Sequence, residues 1–157
     1  MSVDRQTTSD TSPASPGTAA GTVISGLDDF QSVVLFLTIQ GATGGTLDVY
    51  LQFYDGVNWI DFAHFTQLAA GGAAVSYVVP INRAPRPADA TPVVTGSDLT
   101  PALAADTIIH GTLTDRVRMV FVAGAGTSGG AAQVMTVVGT EERLEELQKQ
   151  DLDLRVR

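Results

Sequence analysis

The residues of this chain whose types could do chemistry gather in one stretch, Leu51 to Phe65, "LQFYDGVNWIDFAHF". It holds the only tryptophan, Trp59, with Tyr54, three of the six phenylalanines and His64, one of two histidines. Asp48, Asp55 and Asp61 lie in or beside it. A metal at His64 or His110 would need carboxylate help, from Asp61 or Asp106. Their spacing matches no ligand pattern, and no D-x-D-x-D-G calcium loop occurs. There is no G-x-S-x-G elbow to raise a nucleophilic serine. The glycine-rich runs "GATGG" and "GAGTSGG" lack the Gly-Lys-Ser/Thr ending and following helix of a phosphate loop. They read as turns between strands. Asp55 reads as a turn residue, and Asp48 and Asp61 as solvent-facing strand positions rather than an acid–base pair. What the stretch can offer is a surface. Trp59, Tyr54 and His64 could stack on the apolar face of a sugar, with Asp61 accepting its hydroxyls. The residues therefore point to binding or assembly, with no enzyme activity and no cofactor.

The elements that position this stretch read as strands. "TLDVYLQFY" (46–54) alternates, with Leu47, Val49, Leu51 and Phe53 on one side and Asp48, Tyr50, Gln52 and Tyr54 on the other. "WIDFAHF" (59–65) alternates after it: Trp59, Asp61, Ala63 and Phe65 against Ile60, Phe62 and His64. Asp55-Gly56 between two such runs is a hairpin signal. Further strands are expected at 22–25, 32–40, 74–81, 108–113, 115–124 and 131–140, separated by glycine turns. In 115–124, Val117, Met119 and Phe121 oppose Arg116, Arg118 and Val120. Residues 82–107 carry four of the seven prolines, a connection long enough to be functional or to lie against a partner.

The expected fold is all-β: a β-sandwich or jelly roll of about seven or eight strands, one domain over 21–139. Residues 1–20, rich in Ser, Thr, Ala, Pro and Gly, read as an extended N-terminal arm. They lack the apolar core of a secretory signal. Residues 140–157 read as a short helix followed by a strand. Thr140 is placed to cap "EERLEELQKQ", Glu145 pairs with Lys149, and Leu144 and Leu147 form a narrow apolar stripe. "DLDLRVR" then alternates Leu152, Leu154 and Val156 against charges, and such a strand needs a sheet edge, its own or a neighbour's.

Bulk properties restrict the partners. Net charge is −8 over 157 residues, so the basic stripe of a nucleic-acid binder is absent. An anionic membrane surface is disfavoured for the same reason. No run approaches the roughly 20 apolar residues of a membrane span. The chain has no cysteine, which removes disulfides and thiolate chemistry.

The segment "GGTLDVYLQFYDGVNWIDFAHFTQL" resembles small structural proteins of tailed bacteriophages. In these a "T-L-D-V-x-L-Q" strand runs into a "D-G-x-x-W-x-D-x-x-x-F" hairpin. The matching residues are Thr46, Leu47, Asp48, Val49, Leu51, Gln52, Asp55, Gly56, Trp59, Asp61 and Phe65. The likeness extends loosely to "FQSVVLFLTIQGATG" and "DRVRMVFVAGAG". It implies a virion component: a head decoration or capsid-stabilising protein on the capsid surface, or a head–tail or tail accessory. Such a decoration protein would contact the major capsid protein and copies of itself, as a homotrimer at local three-fold positions. The arm 1–20 and the tail residues Leu144, Leu147, Leu152, Leu154 and Val156 would be its contacts. The hairpin also resembles a piece of discoidin-type, galactose-binding-like sandwiches with a "Y-S-x-D-G-x-x-W" hairpin, from which "FYDGVNW" lacks the Ser and one spacer. That likeness implies the carbohydrate-binding alternative.

Overall fold

In "SVVLFLTI", Val33, Leu35, Leu37 and Ile39 are buried, while Phe36 and Thr38 face outward. This period-two burial fixes the strand's face, because a one-residue slip would expose all four. The computed structural model describes residues 5–82, 95–109 and 114–140. Nine strands form among them: β1 (Arg5–Thr11), β2 (Gly17–Ala20), β3 (Ser32–Ile39), β4 (Leu47–Tyr54), β5 (Trp59–His64), β6 (Val75–Asn82), β7 (Thr107–Ile108), β8 (Val117–Ala123) and β9 (Ala132–Thr140). A 3-10 turn, Leu27–Asp29, precedes β3. Among the described residues no helix is long and apolar enough to cross a membrane.

The strands make two antiparallel sheets. One has the order β1-β9-β3-β6, the other β2-β8-β4-β5-β7. Their inner faces close on one core. Leu35, Leu37, Met135 and Val137 come from the first sheet, and Leu47, Leu51, Met119 and Phe121 from the second. Each side chain of this size is worth about 1.5–3 kcal/mol when fully buried. The all-β expectation and its sandwich of alternating strands hold. The expected strand at 22–25 is reduced to one bridge, Ile24 to Val117.

The N-terminal arm is a correction. Residues 5–11 pair with β9 along their whole length, and 17–20 pair with β8. They are edge strands of the two sheets, and Asp10 ties their connection by accepting from the backbone N–H and hydroxyl of Thr22. The Ser/Thr composition that suggests a linker suits an edge strand with one face in water. The expected C-terminal helix and strand lie outside the described residues.

The two outer faces differ. The second sheet carries the 95–109 segment across its outer face. The outer face of the first is uncovered among the described residues. Its rows, set by register, are Val34–Pro80–Val138, Phe36–Val78–Thr136–Thr7 and Thr38–Ser76–Val134. On β1 the first row ends in Arg5 and the third in Ser9, so Arg5, at the β1 edge, is the one charged residue in these rows. Phe36 is 46% exposed and Val78, directly opposite on β6, is 62% exposed.

Candidate functional site

The site expected around Trp59 is shaped by a β-bulge. Opposite β4, the register runs Tyr54–Trp59, Phe53–Ile60 and Gln52–Asp61, then skips to Leu51–Ala63 and Tyr50–His64. Phe62 is the extra residue. A bulge shifts the alternation by one, so the expected faces are wrong beyond it. Ala63 and Phe65 turn into the core, and His64 joins Trp59 and Asp61 on the outer face. Tyr54, Trp59, Asp61 and His64 therefore do come together, in a row facing Tyr50 and Gln52. The hairpin turn is as expected. Asp55 accepts from the N–H groups of Asn58 and Val57, which hold its carboxyl below the usual carboxylate range. Gly56 takes φ 104°, a left-handed value that favours glycine.

Asp61 and His64 do not face solvent. Asp61 is 1% exposed. Its Oδ1 accepts from Gln52 Nε2 at 2.8 Å. Its Oδ2 accepts three backbone N–H groups, from Gly96 at 2.9 Å, Ala102 at 2.8 Å and Leu103 at 3.1 Å. One carboxylate thus gathers both ends of the 96–103 loop. This corrects the expectation of a solvent-facing Asp61 that accepts sugar hydroxyls, because both of its oxygens are engaged inside the protein. His64 stacks on Tyr50 with ring centroids 3.9 Å apart. Its Nδ1 donates to the Leu103 carbonyl at 2.7 Å, and its Nε2 lies 3.0 Å from Asp48 Oδ1. Burial, then the charges of Asp48 and Asp61, push the Tyr50 hydroxyl up to about 12. The Leu103 side chain drops between Tyr50 and Val120 to make a second, small apolar cluster on the outer face.

Three residues of this network were not legible in advance: Gln52, Asp98 and Arg118. Gln52 is fully buried in the middle of an apolar strand. Its amide nitrogen donates to Asp61 and to the Asp98 carbonyl at 2.7 Å. Its oxygen accepts from Arg118 Nε at 3.1 Å and Nη2 at 2.9 Å. Asp98 clasps β5 by donating its N–H to the Trp59 carbonyl at 2.7 Å and accepting from the Trp59 N–H through Oδ1 at 3.3 Å. A lone Gln between core residues was the one available signal, since a buried amide needs partners on both of its atoms.

The Trp59 ring is half-buried, with the Arg118 guanidinium carbon 4.3 Å from its centroid and Tyr54 tilted against it at 5.3 Å. Arg116 lies over Tyr54 at 5.2 Å. Burial lowers the Arg118 pKa, and the Asp98 charge opposes that shift. The arginine covers one face of the ring. Among the described residues no group of three His, Asp or Glu could hold a metal ion. Asp106 accepts from the Thr66 hydroxyl, and His110 lies outside the described residues, as do Leu144, Leu147, Leu152, Leu154 and Val156. Chemically, the arrangement is a clasp: it fixes the 95–109 segment over the second sheet. No protein-family model, curated protein or solved structure matches this chain.

Proposed function

We propose that this protein is a non-enzymatic structural component of a phage virion. In this reading it is a capsid decoration protein that sits on the shell as a homotrimer and bridges capsid subunits. It acts as cement. By binding the assembled shell and not separated subunits, it stabilises assembly by mass action. The observation that carries the reading is the outer face of the β1-β9-β3-β6 sheet. In a chain with 17 acidic and 9 basic residues, the Val34, Phe36, Val78 and Pro80 surface is free of charge. A sheet face of this kind is stable in water when a partner covers it. The polar groups best suited to chemistry, Asp61, His64 and Gln52, are occupied in holding the 95–109 segment. The likeness of residues 44–68 to tailed-phage structural proteins supplies the virion. The two sheets also run as paired strands, β1/β2, β9/β8, β3/β4 and β6/β5, and this supports reading the sandwich as a jelly roll.

The test is co-sedimentation with phage shells assembled without a decoration protein, together with the solution mass. The reading expects a mass above the 16.4 kDa of one chain, and bound protein that raises the shell's melting temperature. A monomer with no affinity for any shell contradicts it.

A further inference from the structure

His64 sits where the 95–109 segment crosses the second sheet, and both of its ring nitrogens meet acceptors. Nδ1 is 2.7 Å from the Leu103 carbonyl, and Nε2 is 3.0 Å from Asp48 Oδ1. A neutral imidazole carries one N–H and one lone pair. Either neutral tautomer therefore turns a lone pair on an oxygen, toward the carbonyl in one and toward the carboxylate in the other. Only the imidazolium, with a proton on each nitrogen, satisfies both contacts. His64 is 7% exposed, so little water reaches the ring to replace a lost partner.

The groups around the ring favour the same form. From β4, Asp48 pairs with His64 through one oxygen, and its other oxygen accepts from Gln67 Nε2 at 2.9 Å. Tyr50, also from β4, stacks on the ring, and an aromatic face attracts positive charge. On β5 itself, Asp61 has both oxygens filled by N–H groups. From the crossing segment, Asp106 accepts from the Thr66 hydroxyl. β7 sets Thr107 opposite His64, and β8 sets Val120 opposite Tyr50, neither of them charged. Arg118 of β8 is bound to the Gln52 oxygen.

The two bonds of this ring hold the second half of the segment. Leu103 gives its carbonyl to His64, its side chain packs against Tyr50 and Val120, and Ile109 packs against the same cluster. From this geometry we propose that His64 is a pH-operated latch. Doubly protonated, it joins Leu103 to Asp48 and keeps residues 103–109 closed over Tyr50 and Val120. On losing one proton it releases the Leu103 carbonyl, and 103–109 opens. Asp61 keeps its grip on Gly96 and Ala102, so the opening starts at Leu103. An unfolded histidine gives up its second proton at about pH 6.5, and the closed form is the one that needs it. The latch therefore contributes fully below about pH 6.5 and is lost as the pH rises and the folded ring deprotonates.

The test is ring ¹⁵N NMR and amide hydrogen exchange on the full-length protein carrying His110→Gln, which leaves His64 as its only histidine. At about pH 5.5 both ring nitrogens should be protonated, and the Ile109 amide, which donates to the Phe62 carbonyl, should be protected. By about pH 9 the Ile109 protection factor should fall about tenfold or more, in step with the ring's titration, while Gly96 stays protected. Adding Asp48→Asn should abolish this dependence, because an amide donates to a neutral Nε2 or accepts from a protonated one. A ring that is neutral in acid, a ring that holds both protons throughout, or Ile109 protection that ignores the titration overturns the latch. Gly96 and Ile109 losing protection together overturns it in favour of general loosening, and an unchanged pH dependence in Asp48→Asn overturns it as well. If Asp48→Asn does not fold, the titration of the His110→Gln protein decides alone.

Discussion

Gln52 and Asp61 face each other across β4 and β5, both buried, with the Gln52 amide donating to Asp61 Oδ1 at 2.8 Å. The pair joins Arg118 on one side to the backbone of the 96–103 loop on the other. A carboxylate out of water is tolerated when every lone pair has a donor, and here four N–H groups meet its two oxygens.

Asp61→Ala removes the acceptor for those four donors. With buried N–H groups left unsatisfied, the loss of stability should be on the order of 3 kcal/mol. Urea unfolding should show a lower midpoint at unchanged slope. Hydrogen exchange should show Gly96, Ala102 and Leu103 losing protection together. A variant as stable as the parent, with these amides still protected, would remove the clasp.

This clasp shows what sequence could and could not convey. The alternation in β3, β4 and β8 was legible because core burial on one face imposes period two. The bulge at Phe62 was not, since one extra residue changes neither composition nor hydrophobicity, yet it exchanged the faces of Ala63, His64 and Phe65. The backbone partners of Asp61 lie 35 to 42 residues away in a proline-punctuated segment. No local pattern announces contacts of that range. Edge strands β1 and β2 were missed for another reason: their solvated Ser and Thr residues look like a linker.

Arg118 over Trp59 should keep glycans off the ring. Titration with monosaccharides and oligosaccharides should leave the Trp59 emission unchanged, while Arg118→Ala should shift it to the red as the ring gains water. A saturable glycan-dependent change in the parent protein would restore the carbohydrate reading.

Asp55 should contribute to acid sensitivity. Its folded pKa lies below its unfolded one, so its contribution is present above the unfolded value near 3.9 and is lost as pH falls through the folded value. Melting temperatures of the parent and Asp55→Asn should converge as pH drops below about 4. Parallel curves across that range would contradict the assignment.

Tyr50 gives the opposite sign at the alkaline end. With its pKa raised to about 12, it favours the fold below the unfolded value near 10, and this contribution is lost between the two. Absorbance titration of the phenolates should show one of the three tyrosines ionising late. Tyr50→Phe should remove that step and flatten the loss of stability above pH 10. Three tyrosines titrating together near 10 would contradict it.

The most direct test of the assembly reading is Val78→Asp, a charge placed on the open face at a position 62% exposed. The fold should survive, checked by circular dichroism. Sedimentation velocity and shell co-sedimentation should show association weakened at least about tenfold, a loss of roughly 1.4 kcal/mol. A folded Val78→Asp protein that associates as tightly as the parent would contradict the claim that this face is where the protein meets its partners.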